Sequence, residues 1–327
     1  MGGALYFNST VDEMRVYTGS NWVAAYVSGG DFATEQYVDG RVSDLYRFSL
    51  VPNYIGNFPL GSSRRHQATT LTDDTVFITA GDSHPTKAYI YNCIQNYFVA
   101  ISDLPVAINQ NRYFIQALSD NLVYLAFEHT VYIYNNNLDT YTRMNDYPGG
   151  NHGGVRAALL ADGRMYISRA ANPWTTHIYD PATDSYETVS NSVIKSGPAA
   201  APILNGKVYI CSGLIGGGGY TNVAQIYDPV SDSYTTVQPI PYSNELLSGV
   251  MIAPLTENHI YICGGSLFGI GVVDEAFVYD ANKDSYTRVS NLLLPASEIG
   301  ITALKNGRIL LVGSPDPYGS DRQVHLI

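Results

Sequence analysis

The stretch IYDPVSDSY, residues 226–234, decides the fold because it recurs along the chain. Near-identical copies occupy residues 178–186 and 278–286, and weaker copies occupy residues 133–141 and 90–97. Repetition at a regular spacing is typical of repeat architectures, in which each copy is one supersecondary unit. The repeat therefore predicts a modular domain.

A second motif precedes each copy. It is an apolar strand of the type KVYIC, residues 207–211, and its six occurrences lie about 42 to 52 residues apart, the period expected of propeller blades. The other five are residues 75–79, 122–126, 164–168, 259–263 and 308–312. Asn205-Gly206, the strongest type of hairpin signal, comes just before residues 207–211. Each repeat therefore predicts a meander of four short antiparallel strands.

The pattern NGxxY followed by YDPxxDxY resembles kelch repeats and covers residues 43–327. The resemblance implies an all-β fold, a six-bladed kelch-like β-propeller. Two departures weaken membership of a named kelch family but not the architecture. The double glycine after the second strand survives only at Gly264-Gly265, and the fourth strand carries Tyr where kelch repeats usually place Trp.

The two ends of this domain are expected to share one blade. The chain stops at residues 323–327, a third strand, which leaves the sixth blade without its outermost strand. An open strand edge has to be covered, and SDLYRFSL at residues 43–50 is the expected donor. An incomplete seventh blade is the alternative.

Charge and composition exclude several functions. The chain carries 18 Lys and Arg against 29 Asp and Glu, a net charge of −11, so we expect neither nucleic acid nor an anionic membrane as a partner. No apolar run approaches the roughly 18 residues of a spanning helix, and the start of the chain lacks the pattern of an export signal. Cys93, Cys211 and Cys263 form neither a disulfide framework nor a zinc motif, and we interpret them as buried thiols.

Residues 1–42 precede the repeats and predict a small β-meander with a linker. Strands are expected at residues 5–8, 14–17 and 22–26, a piece too small to fold alone. The stretch LYFNxTxxxMxVYxGSxWV resembles a short motif of bacteriophage tail fibre and virion appendage proteins. The resemblance implies attachment to other virion proteins, a place in the tail or capsid after assembly in the host cytoplasm, and a possible homotrimer. The alternative is an extension packed on the propeller.

The candidate ligand site lies on one face of the predicted propeller. The connections between second and third strands, and between successive blades, emerge together and vary in length, as binding loops do. Six aromatic residues in these loops are outside the repeating strand positions and can stack on sugar rings or peptide: Trp174, Tyr147, Tyr220, Tyr242, Phe268 and Tyr318. For each one, folding back onto the blades is an equally good interpretation. By contrast, Tyr227, Tyr234 and their equivalents recur in the repeats, which predicts packing between blades.

Arg65 and Arg112, with Arg64, enter first strands near the axis. They can bind an anionic group such as the carboxylate of a sialic or uronic acid, or pair with acidic residues of adjacent blades. The run Gly216 to Gly219 lacks the Lys and Ser or Thr of a phosphate loop, and we interpret it as a flexible loop.

No catalytic signature is present. The seven histidines are scattered, HExxH and GxSxG motifs are absent, and so are the Asp boxes of sialidase propellers. We therefore expect no enzyme, metal or cofactor, and the leading hypothesis is a phage appendage protein whose propeller binds host surface glycan. A glycan-active enzyme with two carboxylates converging at the axis is one alternative. A cytosolic protein-binding scaffold with an apolar patch on the variable face is another.

Overall fold

The structure is a computed structural model. It describes residues 5–8, 13–17 and 22–24, and the chain from residue 53 onward apart from gaps at residues 60–65, 73–74, 82, 109–112, 149–154, 169–173, 205, 217–218, 243–246, 298, 306 and 314–322. The chain divides into two compact units, Met1–Leu50 and Val51–Ile327. The sequence predicts the division eight residues earlier, between residues 42 and 43.

The first unit contains a three-stranded antiparallel meander. Its strands are β1 (Leu5–Asn8), β2 (Glu13–Tyr17) and β3 (Trp22–Ala24), paired in that order. The predicted meander is thereby confirmed, and the last two residues of the predicted third strand lie outside the described residues.

The second unit is built from six four-stranded antiparallel sheets, each a blade. Blade 1 contains β5 (Ala68–Thr70), β6 (Thr75–Thr79), β7 (Ala88–Asn92) and β8 (Tyr97–Ala100). Blade 2 contains β9 (Tyr113–Ser119), β10 (Leu122–Phe127), β11 (Thr130–Asn135) and β12 (Thr140–Arg143). Blade 3 contains β13 (Arg156–Leu159), β14 (Met165–Ser168), β15 (Thr176–Asp180) and β16 (Ser185–Val189).

The remaining blades follow the same plan with additions. Blade 4 contains β18 (Ala199–Ile203), β19 (Lys207–Cys211), β21 (Ala224–Asp228) and β22 (Ser233–Val237), with the extra strands β17 (Ile194–Ser196) and β20 (Leu214–Ile215). Blade 5 contains β24 (Met251–Thr256), β25 (His259–Cys263), β28 (Ala276–Asp280) and β29 (Ser285–Arg288), with the extra strands β23 (Leu247–Ser248), β26 (Ser266–Leu267) and β27 (Gly271–Val272). Blade 6 contains β30 (Gly300–Ala303), β31 (Ile309–Gly313), β32 (Gln323–Leu326) and β4 (Asn53–Asn57).

The blades close into a ring. Each first strand contacts the first strands of two neighbours, in the order β5, β9, β13, β18, β24, β30 and back to β5. The described chain therefore forms a ring of six blades and not seven. The predicted sharing of one blade by both ends is confirmed, because β4 pairs antiparallel with β32. The strand that pairs with β32 is residues 53–57, whereas the predicted donor, residues 43–50, lies outside the described residues.

The repeating tyrosines hold neighbouring blades together, as the repeat predicts. Between blades 4 and 5, the hydroxyl groups of Tyr209 and Tyr286 lie 2.8 Å apart, and Tyr286 donates to the carbonyl of Gln238 at 2.8 Å. Asp284 accepts from the Gln238 amide at 2.9 Å and from the Tyr279 hydroxyl at 3.0 Å. The same hydroxyl pairs occur at Tyr124 with Tyr186 and Tyr166 with Tyr234.

The aspartates of this network occupy a strained turn position. Asp232 has a φ of +47°, in the left-handed region that Asp tolerates better than most residues. Its carboxylate accepts from the Ser190 amide and hydroxyl and from the Tyr227 hydroxyl, all at 2.9 Å. Burial alone would raise the pKa of Asp232, but these hydrogen bonds outweigh it and hold that pKa below its usual range.

The cysteines are free thiols. Cys211 and Cys263 are fully buried at the ends of β19 and β25, as predicted, whereas Cys93 is partly exposed. Burial raises the pKa of Cys211 to about 12 and raises the pKa of Cys263 further. Among the described residues no group of His, Cys, Asp and Glu could hold a metal ion. No helix in that same part of the chain is long and apolar enough to cross a membrane.

Candidate functional site

The ends of the strands define two faces. Within each blade the turns after the first and third strands share one face, and the remaining connections lie on the other. We call the second the variable face. The described turn Glu128–His129 is all that joins the second and third strands of blade 2, whereas residues 212–223 and 264–275 join them in blades 4 and 5. The connections that form the rim of the variable face are therefore short at blade 2 and long at blades 4 and 5.

A central channel of about 540 Å³ runs between the six first strands. That volume is within the range of small-ligand sites. Its described charged lining consists of Asp120, Arg156 and Lys305. Lys305 of blade 6 and Asp120 of blade 2 form an ion pair at 2.6 Å at the tight-turn end, and Arg156 starts β13 at the variable face. No second carboxylate lines the channel within the part of the chain that the structure describes.

Two hairpins raise the rim at blades 4 and 5. In blade 4, β20 pairs with β17, and the hairpin tip contains the glycine run whose first and last members, Gly216 and Gly219, have open space around them. In blade 5, β26 pairs with both β23 and β27, and Phe268 stands at the turn with 67% of its surface exposed. These paired strands extend the blades beyond the regular propeller.

Hydrogen bonds tie the bases of the two hairpins to the neighbouring connections. The Ser212 hydroxyl donates to the carbonyl of Leu247 at 3.0 Å, so the blade 4 hairpin is fixed to the start of blade 5. The Gly265 amide donates to the carbonyl of Ala296 at 2.8 Å. Gly264 has a φ of +60°, and a Cβ there would lie 2.2 Å from the Ala296 carbonyl oxygen. Only glycine fits this approach, and the hairpins are held in position before any ligand arrives.

The variable face from blade 3 to blade 6 exposes large apolar side chains. They are Trp174, Val193, Ile215, Tyr220, Phe268, Ile270, Leu293 and Leu294. None of them lies in a regular blade strand. Ile215 lies in the added strand β20, and the others lie in connections without regular strand structure. Exposed apolar side chains grouped on one face mark an interaction surface.

Three of the predicted aromatic residues are available to a ligand. Trp174 and Tyr220 are each 40% exposed, and Phe268 is the most exposed of the three. They belong to blades 3, 4 and 5, so they lie along one arc of the variable face.

Two of the predicted aromatic residues face the interior, which corrects their assignment as ligand-binding residues. Tyr147 is 1% exposed and its hydroxyl lies 3.2 Å from Nδ1 of His177. Tyr242 is 6% exposed and donates to the carbonyl of Gly264 at 2.7 Å. Both connections fold back onto the blades because each hydroxyl finds a buried partner there. Tyr242 consequently supports the base of the blade 5 hairpin.

The remaining predicted positions, Tyr318, Arg65 and Arg112, lie outside the described residues, as does Arg64. Arg156 was not singled out from the sequence, yet it has the placement expected of those arginines, at the start of a first strand and beside the channel. Its guanidinium donates to the carbonyl of Val155 at 2.9 Å. The signal that could have found it is its position one repeat after Arg112.

Comparisons with known proteins support the kelch assignment. The family model described as the kelch motif matches residues 196–241, within blade 4. The solved structure of YjhT is similar, with a TM-score of 0.67 and 14% sequence identity over 84% of this chain and 96% of that chain. It is one of 1080 matching chains of known structure, and at this identity the likeness shows the fold alone. No curated protein matches the sequence. The protein is thus an all-β propeller with a kelch motif in blade 4, and these comparisons carry no link to bacteriophage proteins.

Proposed function

We propose that this protein is a bacteriophage tail fibre or virion appendage protein whose propeller binds host cell-surface glycan without catalysis. In this proposal residues 1–50 attach it to other virion proteins, and the propeller displays the variable face. The observation that carries the binding role is the pair of anchored hairpins of blades 4 and 5, which present Tyr220 and Phe268 on the variable face. Aromatic rings on rigid supports are suited to stacking on sugar rings.

The appendage role rests on the N-terminal motif. Its β-meander forms a unit separate from the propeller, as an attachment element requires. The oligomeric mass of the full chain, compared with a chain beginning at residue 51, tests it. We expect a trimer that becomes a monomer on truncation. A monomer in both cases would contradict the fibre-type trimer.

Glycan binding is tested on an array of neutral and acidic bacterial surface polysaccharides. Tyr220→Ala and Phe268→Ala should each weaken binding about 2- to 10-fold, the equivalent of one stacking contact. The matched control is Val230→Ala, because Val230 is 95% exposed in a turn on the opposite face. Binding that all three substitutions leave unchanged would place the ligand elsewhere.

The enzyme alternative needs two carboxylates close together at the axis. The described channel lining offers Asp120, which already pairs with Lys305. This supports binding over hydrolysis. The decisive assay is release of reducing sugar from any polysaccharide that binds on the array.

A protein-binding scaffold is the second candidate, and one observation favours it. The variable face exposes aliphatic side chains such as Ile270, Leu293 and Leu294 beside the aromatic ones, as surfaces that bind proteins do. An array without binders, together with a protein partner whose affinity falls on Ile270→Ser, would favour this candidate.

A further inference from the structure

The inner edge of each first strand faces the channel. A first strand pairs with the second strand along its outer edge, so the N–H and C=O groups of alternate residues point toward the axis. Pro202 in β18 and Pro254 in β24 mark these residues, because proline within a sheet keeps its nitrogen away from the ladder. Ala200 and Ile252, two positions earlier, share that direction.

Side chains of blade 1 already satisfy the edge of blade 2. Gln67 accepts from the Ile115 amide at 3.0 Å and donates to the carbonyl of Tyr113 at 2.8 Å. The Thr69 hydroxyl accepts from the Ala117 amide at 2.8 Å. By register against the second strand, Ile115 and Ala117 occupy the positions of Ala200 and Pro202 in blade 4.

The other side of blade 1 is bonded in the same manner. The Thr70 amide donates to the Thr302 hydroxyl at 3.0 Å, and the Thr70 hydroxyl donates to the carbonyl of Ala303 at 2.6 Å. Groups at the inner edges of blades 6, 1 and 2 are thus occupied by the protein itself.

At the register position of Gln67 blade 3 has Arg156, at the variable-face end of the channel, whereas blades 4 and 5 have the apolar residues Ala199 and Met251 there. The equivalent channel-facing residues are Ala157 and Leu159 in blade 3, Ala200 and Pro202 in blade 4, and Ile252 and Pro254 in blade 5. They line the channel, and within the described chain they make no hydrogen bond other than those of the ladder. One half of the channel wall therefore offers free backbone groups to a ligand.

Beyond Arg156, which stands at the variable-face end, this half lines the channel with backbone groups that suit uncharged hydroxyl groups. Its N–H groups donate and its C=O groups accept, and a hydroxyl can do both. A carboxylate accepts only, so the carbonyl groups would repel it. The ion pair of Asp120 and Lys305 leaves neither charge unpaired at the far end of the channel.

We propose that the inner edges of blades 3, 4 and 5 bind the uncharged, hydroxyl-rich end of a saccharide, which enters the channel from the variable face. The inference rests on the proposed glycan binding and adds to it the ligand class and the mode of binding. The Asp120–Lys305 pair links two blades that are not neighbours and crosses the opposite end, which fits entry from the variable face. The anchored hairpins of blades 4 and 5 stand on the same half of the ring, where they contact the next sugars.

Hydrogen exchange of the full chain tests the proposal directly. The probes are glucose, galactose, mannose and N-acetylglucosamine, free and as short oligomers, with glucuronic acid as the charged counterpart. We expect at least one uncharged saccharide to slow exchange in residues 199–204 and 251–256, and to leave residues 113–119 unchanged. Protection by glucuronic acid alone, or protection in blade 2 alone, would overturn the proposal.

A substitution in blade 4 can introduce a side chain equivalent to that of Gln67, which bonds the inner edge of the next blade. By register Ala199 is the blade 4 equivalent of Gln67, so Ala199→Gln would cover the Ile252 amide and weaken binding about tenfold, the equivalent of one or two hydrogen bonds. Ala182→Gln is the matched control, in an exposed turn on the opposite face. Exchange protection in the unsubstituted protein decides the matter if Ala199→Gln fails to fold.

The outcomes separate this inference from the proposed function. Polysaccharide binding that depends on Tyr220 and Phe268, without protection of the channel strands, would refute the channel site and leave glycan binding standing. The absence of any saccharide binding on the array and in solution would refute both.

Discussion

Removal of both hydroxyls from the contact between blades 4 and 5 should destabilise the propeller less than the sum of the two single removals. Tyr209 is fully buried, and its hydroxyl has the Tyr286 hydroxyl as partner at 2.8 Å. Tyr286 is partly exposed and also donates to the carbonyl of Gln238. Tyr286→Phe leaves the Tyr209 hydroxyl buried without that partner, whereas Tyr209→Phe leaves Tyr286 with the Gln238 carbonyl and solvent.

The magnitudes follow from this difference. A buried polar group that loses its partner costs about 1–3 kcal/mol, so Tyr286→Phe should lower the free energy of unfolding by about 2 kcal/mol. Tyr209→Phe removes an ordinary hydrogen bond and should cost about 1 kcal/mol. The double substitution leaves no orphaned hydroxyl and should cost about 2 kcal/mol. The two residues are therefore coupled by about 1 kcal/mol.

Urea unfolding followed by tyrosine and tryptophan fluorescence measures all four proteins of this cycle. Tyr97→Phe is the control, because Tyr97 is 45% exposed and does not belong to the described tyrosine hydroxyl pairs that join neighbouring blades. It should leave the free energy of unfolding unchanged. If the single substitutions add up in the double variant, the hydroxyl pair does not connect the blades in the way the structure indicates.

Three further predictions follow. The pKa of Asp232 in the folded protein is below its unfolded value of about 3.9. Its contribution to stability is therefore present above that pH and is lost as the pH falls through the lower folded value. Asp232→Asn should consequently make the urea midpoint fall less between pH 5 and pH 3 than it does in the unsubstituted protein. Asn96 donates to a carbonyl of β4 at 2.7 Å, so Asn96→Asp should place a carboxylate against that carbonyl and lower the melting temperature at pH 7 more than at pH 3. Cys93 should react with a thiol reagent at pH 8 in the folded protein, whereas Cys211 and Cys263 should react only after unfolding, as mass spectrometry of the labelled chain can show.

The fold could be predicted from the sequence because its signals are local and repeated. The tyrosines and the turn aspartates recur at fixed offsets, and each copy reports the same contacts. The closing strand was predicted wrongly because it is not a repeat. Residues 53–57 join a blade whose other strands come from the far end of the chain, so no local spacing relates them to β32. Residues 43–50 were favoured because they lie just before the first full repeat.

The candidate site could be predicted only in part. A loop position shows that an aromatic residue is outside the repeat, but it does not show which way the residue turns. Tyr242 turns inward because the Gly264 carbonyl lies within reach, and that carbonyl comes from a different connection of the blade. Phe268 stays exposed at the turn of its hairpin, which projects beyond the regular blade strands. The distinction depends on contacts between segments that the sequence does not bring together.

The division of the channel into two halves has a physical origin in the closure of the ring. Blade 6 is completed by β4 through strand pairing alone, without a turn joining β32 to β4, so this side of the ring lacks a covalent connection that the other blades possess. Gln67, Thr69 and Thr70 compensate, because their side chains bond blade 1 to blade 2 on one side and to blade 6 on the other. Blades 3, 4 and 5 lie away from this junction, and their described inner-edge residues make no equivalent bonds to neighbouring side chains. Their inner edges are therefore free to serve a ligand, and the half of the ring that secures the fold is the half that the proposed binding does not use.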